Sequence, residues 1–497
     1  MLKDIRTLGR ETLVYGLSTV VARLLNFLLT PFYTYTLTKE DLGTASAAFA
    51  YIAFFNIVYQ YGMDQAYMRH AVDEDGRSPE EKFSTAFWSV LASSLALSAA
   101  VFAFAAPLAE WGRIGDHPEL VRFGAGILAL DALSTLPFAE LRLRHKAWVF
   151  AGVRSFNIVL TLVLNVFFLR RLHLGVDGVF LANLIASGAT LVLLGPLLAE
   201  LVRPVFALPL WKDLVRFGLP LVASGLPAVA VQVIDRPIML RLTDKATVGL
   251  YQANFRLGVF MALVVTMFDQ AWRPFFLQKA KEPGSGALFG RILTYYLAGG
   301  FWLVLAMSFF IPDLVRFQIH GKALFHPSYW SGLVVVPLVL SAYFVYGIYI
   351  NFMVAVTLSK RTGLLPWVTL LGATVNVLAN FALIPYWKLM GAAWSALLAQ
   401  SVMAAALYLV GRSIYPVPYE GGRALHLAGA AAATLSCVYA GAVLLTGPAW
   451  LAARVAVLAL FPLLLWWTHF PTLDEREALA RILARLRRGP PNPAPSV

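Results

Sequence analysis

Residues 246–272 read ATVGLYQANFRLGVFMALVVTMFDQAW, a largely apolar stretch that ends in Asp-Gln-Ala followed by an aromatic residue. About 20 such residues are enough for a helix to cross the hydrocarbon core of a bilayer. A second stretch, residues 41–66, ends in the same way, with Asp64 matching Asp269 at an offset of 205. The sequence therefore predicts a membrane protein in which a span of this type occurs twice.

The composition agrees with that interpretation over the whole chain. Of the 497 residues, 59% are hydrophobic and 13% are charged, whereas soluble domains are about 25% charged. We predict an all-α polytopic membrane protein with about fourteen transmembrane helices. They are placed near residues 11–36, 41–66, 83–108, 119–140, 148–169, 176–199, 213–240, 246–272, 288–312, 328–355, 364–385, 390–411, 424–446 and 450–469.

Further matches, such as Gly43 with Gly249 and Pro31 with Pro237 at an offset of 206, follow the same order along the chain. They predict two parallel-repeat six-helix bundles, an arrangement that transporters use to rock two halves around a shared site. The predicted domains are an N-terminal lobe (1–205), a C-terminal lobe (206–412), two additional helices (413–470) and a cytoplasmic amphipathic tail (471–497).

Basic residues predict the orientation of the chain. Of its 40 lysines and arginines, 25 fall on the side of the termini, 10 fall on the opposite side, and the rest lie within spans. Basic loops are retained in the cytoplasm, so both termini are expected there. The net charge of +13 is thereby explained by topology, and no nucleic-acid partner is expected.

Enzymatic chemistry has little support in the sequence. The single cysteine, Cys437, excludes an internal disulfide and a multi-cysteine metal site. Asp73 and Asp75 form a D-x-D pattern with which sugar-nucleotide transferases hold a metal, but the loop is short and no nucleotide-binding domain adjoins it. We expect no catalytic residue, metal or cofactor, with a membrane glycosyltransferase using Asp73 and Asp75 as the alternative from a different class.

Five arginines lie within predicted spans: Arg23, Arg154, Arg236, Arg256 and Arg454. An arginine at the centre of a span costs about 2.5–3.5 kcal/mol on insertion scales, so the central ones must face protein or water. Arg454 lies near a helix end and is expected to snorkel, and Arg154 either snorkels or faces the protein.

Helical spacing places Arg23 with Asn26, Gln252 with Arg256, and Gln232 with both Asp235 and Arg236. We predict a cationic cavity for an anionic substrate and a set of acidic residues for gating or ion coupling. The alternative is a set of buried ion pairs, in which Asp131 neutralises Arg23. The predicted cavity residues are Arg23, Asn26, Arg236, Gln252, Arg256 and Arg154, and the predicted gating or coupling residues are Asp64, Asp131, Asp235 and Asp269.

Several segments together resemble the polysaccharide transporter branch of the multidrug/oligosaccharidyl-lipid/polysaccharide exporter superfamily, which includes the Wzx-like flippases. The resemblance is carried by Gly16, Arg23, Asn26 and Pro31, by Leu37-Thr38-Lys39-Glu40-Asp41-Leu42-Gly43, by Asn380-Phe381-Ala382-Leu383-Ile384-Pro385 and by Gly391-Ala392-Ala393.

The resemblance implies flipping of a polyprenyl-pyrophosphate-linked oligosaccharide from the cytoplasmic to the outer leaflet of the inner membrane, by alternating access, for export of a surface polysaccharide such as O-antigen. Expected partners are this lipid-linked oligosaccharide, membrane lipids and polysaccharide assembly proteins. Arginine suits the ligand because its planar fork forms bidentate bonds with phosphate oxygens. Tyr33, Tyr51, Tyr59, Phe255 and Tyr349 are candidates for stacking on sugars, although packing explains most such aromatic residues.

Two alternatives share the predicted fold. A lipid II flippase would take a similar anionic substrate. A cation-coupled multidrug extruder would need a carboxylate deep in the first lobe; residues 12–39 contain none, and Asp131 keeps that option open.

Overall fold

The computed structural model describes residues 24–25, 27–444 and 447–468, together with residues 470, 472, 475 and 477. Residues 27–36 are helical. The helices that follow are α1 (Lys39–Gln60), α2 (Met63–Ala71), α3 (Pro79–Ala103), α4 (Ala105–Trp111), α5 (Pro118–Leu143), α6 (Ala147–Arg170), α7 (Gly175–Leu193), α8 (Gly195–Leu201), α9 (Leu208–Val233), α10 (Asp235–Leu242), α11 (Lys245–Phe255), α12 (Val259–Lys279), α13 (Ser285–Arg316), α14 (Val336–Leu358), α15 (Leu365–Ile414), α16 (Gly421–Leu444) and α17 (Gly447–Trp467).

Eleven helical segments of the described residues are long and apolar enough to cross a membrane. The β-structure of the same residues is one antiparallel pair of two-residue strands, β1 (Gln318–Ile319) and β2 (Lys322–Ala323). The predicted span 390–411 lies within α15, and the predicted span 364–385 begins one residue before it. This helix is interrupted at Lys388, where φ is 47° and ψ is −121°. The predicted all-α polytopic class is confirmed.

The described residues form two compact units, one within residues 1–278 and 311–415 and one within residues 279–310 and 416–497. In the second unit, the expectation that Arg454 snorkels is wrong. Its side chain is buried, with Nη1 donating a hydrogen bond of 2.7 Å to the backbone oxygen of Phe309. The rings of Trp450 and Phe310 lie 5.3 and 5.6 Å from its Cζ atom, so the cation is stabilised locally.

Polar side chains define where the first long helix begins. The Thr38 hydroxyl accepts a hydrogen bond from the Asp41 backbone N–H, and the Asp41 carboxylate accepts one from the Thr38 N–H. This capping box satisfies amide groups that a helix start leaves without partners. We call this end of the bundle, where α1 and α11 begin, the Lys39 end, and the opposite end, which carries the loop of residues 72–78, the Asp73 end.

At the Lys39 end, α1 and α11 cross with their backbones in contact. A Cβ atom on Gly43 would overlap the backbone oxygen of Lys245, and one on Gly249 would overlap the backbone oxygen of Lys39. Small residues permit this approach and are enriched where membrane helices pack closely. Lys245 also forms an ion pair with Asp116, so this end is joined by both backbone and charge contacts.

Candidate ligand-binding cavity

A cavity of about 920 Å³ lies within the first unit, which is in the upper part of the range of ligand pockets, about 300–1,000 Å³. Its lining runs from Leu37 and Leu42, near the Lys39 end, to Asp269 and Tyr349, nearer the Asp73 end. The cavity brings together five of the predicted site residues: Asp235, Arg236, Gln252, Arg256 and Asp269. Arg23 and Asn26 lie outside the described residues.

Arg236 is neutralised within the wall of the cavity. Its Nη1 atom lies 2.8 Å from Oδ1 of Asp235, and both residues are buried, 5% and 4% exposed. Nε donates to the side-chain oxygen of Gln252 at 3.0 Å, and Nη1 donates to the backbone oxygen of Gln232. Tyr251 donates its hydroxyl proton to the other Asp235 oxygen at 2.7 Å. For Arg236, the alternative of a buried ion pair describes the observed geometry.

Arg256 has different surroundings. Its Nη1 atom lies 3.3 Å from the hydroxyl oxygen of Thr30, and its Cζ atom lies 5.9 Å from the centre of the Tyr33 ring. Among the described residues, no carboxylate forms an ion pair with it. The side chain is half-buried and lines the cavity, so its positive charge is available to a ligand.

Local structure positions Arg256 and its neighbours. The helix changes to a 3₁₀ turn at Arg256–Gly258 between α11 and α12. A 3₁₀ segment within a helix often marks a functional hinge or a strained sequence. Tyr33 is held from the other side because its hydroxyl donates to the side-chain oxygen of Asn165 at 2.9 Å, and Asn165 in turn donates to the Thr161 backbone oxygen at 2.7 Å. The ring facing Arg256 is therefore fixed in place.

Asp269 and Asp64, which match in sequence, have different environments. Asp269 lines the cavity, and its Oδ1 atom lies 2.6 Å from Nε of Arg273. Asp64 is outside the lining and lies 3.6 Å from Nη2 of Arg142, while Arg69 pairs with Asp73 at 2.8 Å. An equivalent gating role for both residues stays a prediction, and the geometry favours Asp269.

Arg154 and Asp131 also lie outside the cavity lining. The Cζ atom of Arg154 lies 4.4 Å from the centre of the Phe138 ring, and the side chain is exposed. Asp131 accepts a hydrogen bond of 2.7 Å from the Ser187 hydroxyl. Because Arg154 is not part of the lining, the site proposed below omits it.

The sequence interpretation missed several residues of the lining, among them Tyr343, Tyr346, Thr369 and Gln400. The spacing Tyr343, Tyr346, Tyr349 was the available signal, because positions three apart lie along one side of a helix. Of the aromatic candidates, Tyr33, Phe255 and Tyr349 line the cavity, whereas the lining includes neither Tyr51 nor Tyr59.

Both carboxylates of the D-x-D pattern form ion pairs with basic side chains. Asp73 pairs with Arg69 and with His70 at 3.0 Å, and Asp75 pairs with Arg77 at 2.9 Å and Lys82 at 2.8 Å. Hydrogen bonds from Arg69 and from Lys82 hold the pKa values of Asp73 and Asp75 below their ordinary range. The two carboxylates are accounted for by ion pairs with basic residues of the loop and of the ends of α2 and α3.

Residues 36–283 match the model of a family described as polysaccharide biosynthesis protein. The match spans 248 of the 497 residues, about half of the chain. The predicted resemblance of the chain to the polysaccharide branch of the exporter superfamily is confirmed. No curated protein matches the chain.

Several solved structures have a similar fold, and their descriptions are those of transporters. A structure described as lipid II flippase MurJ in an inward closed conformation has a TM-score of 0.72 and 12% identity, and the match covers 92% of this chain and 100% of that one. An inward-facing multidrug resistance MATE family transporter has a TM-score of 0.58 and 14% identity, covering 82% and 99%.

A third structure, a point mutant of the Vibrio cholerae MATE transporter VcmN, has a TM-score of 0.55 and 13% identity, covering 82% of this chain and 96% of that one. At these identities the likeness concerns the fold. Together with the family, it supports a multi-pass membrane protein of the flippase and transporter class.

Proposed function

We propose that the chain is a flippase that moves a polyprenyl-pyrophosphate-linked oligosaccharide from the cytoplasmic to the outer leaflet of the inner membrane. The protein would carry the head group through the cavity by alternating access while the polyprenyl tail stays in lipid. The family, which is named for polysaccharide biosynthesis, supports this substrate class. The substrate, the direction of transport and the inner-membrane location belong to the proposal.

The observation that carries the proposal is the uncompensated charge of Arg256 in the cavity. A phosphate group brought into a medium of low dielectric without a cation would carry a prohibitive desolvation cost. A guanidinium group repays that cost with charge-assisted, bidentate hydrogen bonds. Arg256 bears its charge without a carboxylate partner among the described residues, as expected of a site that binds an anion.

The backbone contact at Gly43 and Gly249 supports an arrangement closed at the Lys39 end. With the excess of basic residues on the side of the termini, the proposed orientation puts the Lys39 end outside and both termini in the cytoplasm. The cavity would then load a substrate from the cytoplasmic leaflet. Opening of the contact between α1 and α11 would release it on the other side.

The test is a flipping assay with purified protein in liposomes and a fluorescent polyprenyl-pyrophosphate-linked oligosaccharide. We expect the wild type to expose the ligand in the opposite leaflet, Arg256→Gln to lose most of this activity, and Arg256→Lys to recover part of it because lysine keeps the charge without the planar fork. Arg154→Gln is the matched control, since it removes an arginine outside the cavity lining. Full activity of Arg256→Gln at unchanged protein stability would refute the anion site.

The same liposomes, supplied with other substrates, separate the three alternatives. Preference for lipid II over other lipid-linked oligosaccharides would favour the function named for the MurJ structure. Export of organic cations would favour a multidrug extruder, although the positive charge of Arg256 disfavours cationic cargo. Transfer of a labelled sugar to a lipid acceptor would favour a glycosyltransferase.

A further inference from the structure

Three tyrosines of α14 form an aromatic strip along the cavity wall. Tyr343, Tyr346 and Tyr349 all belong to the lining. The rings of Tyr346 and Tyr349 are stacked, with centroids 5.9 Å apart and planes inclined by 17°. Tyr349 is buried, whereas Tyr346 is 37% exposed. The strip therefore has a fixed inner ring and an accessible outer one.

The strip begins beside the cationic part of the cavity. Tyr343 lies 6.2 Å, centroid to centroid, from Phe255, and the Arg236 guanidinium lies 4.4 Å from the centre of the Phe255 ring. Phe255 directly precedes Arg256 in the chain. From Tyr343 to Tyr349 the helix rises by about 9 Å towards the Asp73 end. A ligand bound by its anionic group at Arg256 would meet these rings as it extended in that direction.

Hydrogen-bonding groups accompany the rings. Asp269 and Gln400 both line the cavity. The side-chain oxygen of Gln400 is buried and has no hydrogen-bond partner among the described residues. Buried polar atoms are nearly always paired, so an acceptor without a partner requires an explanation. Neighbouring atoms cover the Gln400 oxygen in this conformation, so a donor from a bound ligand would reach it through rotation of the Gln400 side chain.

We infer that Tyr343, Tyr346 and Tyr349, with Asp269 and Gln400, form a carbohydrate subsite for the sugars next to the pyrophosphate. The inference rests on the proposed function and extends it to residues of this wall. Pyranose rings have apolar faces that pack on aromatic rings, and their hydroxyl groups donate to carboxylate and amide oxygens. A polyprenyl tail would pack on the rings but would leave the Gln400 acceptor unsatisfied.

The subsite can be tested by binding measurements on the full-length protein in nanodiscs. The first probe is polyprenyl pyrophosphate without sugar. The second is polyprenyl-pyrophosphate-linked oligosaccharide purified from membranes of the organism that encodes this protein. We expect Tyr346→Ala to weaken binding of the glycosylated probe about tenfold, which is about 1.4 kcal/mol, and to leave binding of the sugar-free probe unchanged. Tyr346→Phe should bind both probes as the wild type does, because it keeps the ring.

Tyr386→Ala is the matched control, since Tyr386 is 83% exposed and is not part of the cavity lining. Arg256→Gln should weaken binding of both probes. Equal loss of both probes in Tyr346→Ala, or no loss of either, would overturn the carbohydrate subsite and leave the flippase proposal standing if the wild type binds both. Failure of the wild type to bind either probe would overturn the proposed function itself.

Discussion

At the scale of single residues, two arginines in neighbouring helices differ in what surrounds them. Arg236 has a carboxylate partner in Asp235 and a side-chain acceptor in Gln252, whereas Arg256 has the Thr30 hydroxyl and the Tyr33 ring. Spacing within one helix grouped Gln232 with both Asp235 and Arg236, and Arg236 contacts the Gln232 backbone oxygen and the Asp235 carboxylate. Spacing also assigned Gln252 to Arg256, one turn away, because spacing along one helix carries no information about partners on another.

This difference predicts different responses to the same substitution. Arg236→Gln would leave the buried Asp235 carboxylate without its cation, and breaking such a pair by removing one partner costs about 3–5 kcal/mol. Arg256→Gln leaves no carboxylate of the described residues without its cation. It should therefore change the free energy of unfolding little. Thermal and denaturant unfolding of the purified variants in detergent measures both effects.

The control is the double variant Asp235→Asn/Arg236→Gln, which removes both charges of the pair. It should recover part of the stability lost in Arg236→Gln, so that the effects of the two substitutions are not additive. If Arg236→Gln were as stable as the wild type, the ion pair would have no structural role.

A second prediction at this scale concerns the matching aspartates. Asp269→Asn alters the cavity lining and weakens its contact with Arg273, whereas Asp64→Asn changes a residue outside the lining. We expect Asp269→Asn to reduce flipping at least tenfold and Asp64→Asn to have the smaller effect. Initial flipping rates at matched protein levels provide the comparison, and equal losses would restore the symmetrical gating role that the sequence predicted.

At the scale of elements, the apolar windows anticipated the helices because each span must satisfy its backbone hydrogen bonds internally. The interruption of α15 at Lys388 and the 3₁₀ turn at Arg256 depend on packing and could not be placed from hydropathy. The matched glycines 43 and 249 were visible as a repeat. The contact of each glycine with the backbone of the opposite helix was not visible, because the sequence contains no direct measure of the distance between helices.

The crossing of α1 and α11 predicts a conformational effect of a single methyl group. Gly43→Ala and Gly249→Ala should each force the helices apart and favour opening of the Lys39 end. Spin labels near this end, measured by pulsed electron paramagnetic resonance, should show a longer distance in either variant. Gly152→Ala in α6 is the control because a Cβ atom there meets nothing within 4 Å, and it should leave the distance unchanged.

Acid should act on the same end through Asp116. A hydrogen bond from Lys245 holds the pKa of the Asp116 carboxyl below its ordinary value, about 3.9 in model peptides. A lowered pKa means that the ion pair contributes fully above the ordinary value and is lost as pH falls through the lowered one. Labels at Arg113→Cys and Ala246→Cys, in a Cys437→Ser background, should therefore separate below about pH 4.

Asp116→Asn should already show part of that separation at neutral pH and should remove the acid-dependent step. An identical acid response in Asp116→Asn would show that another group is responsible.

At the scale of the whole molecule, the composition and the internal repeat were sufficient to predict the class of fold. Both are properties of the whole chain and do not depend on any single contact. The proposed orientation depends on the distribution of basic residues and is directly testable. In a Cys437→Ser background, His117→Cys should react with a membrane-impermeant maleimide in intact cells, whereas Ser78→Cys should react only after permeabilisation. The opposite labelling pattern would invert the proposed topology and the direction of transport inferred from it.

The contact between α1 and α11 has a further consequence. Residues 39 and 43 of one helix correspond, at an offset of 206, to residues 245 and 249 of the other, and each glycine packs on the lysine carbonyl of the opposite helix. This reciprocity is the pattern of an isologous interface, in which two identical subunits contact each other through the same surface patch. A single repeat expressed alone would carry a surface that complements its own copy. The contact between α1 and α11 therefore has the geometry of an interface in a twofold-symmetric homodimer, formed here within one chain.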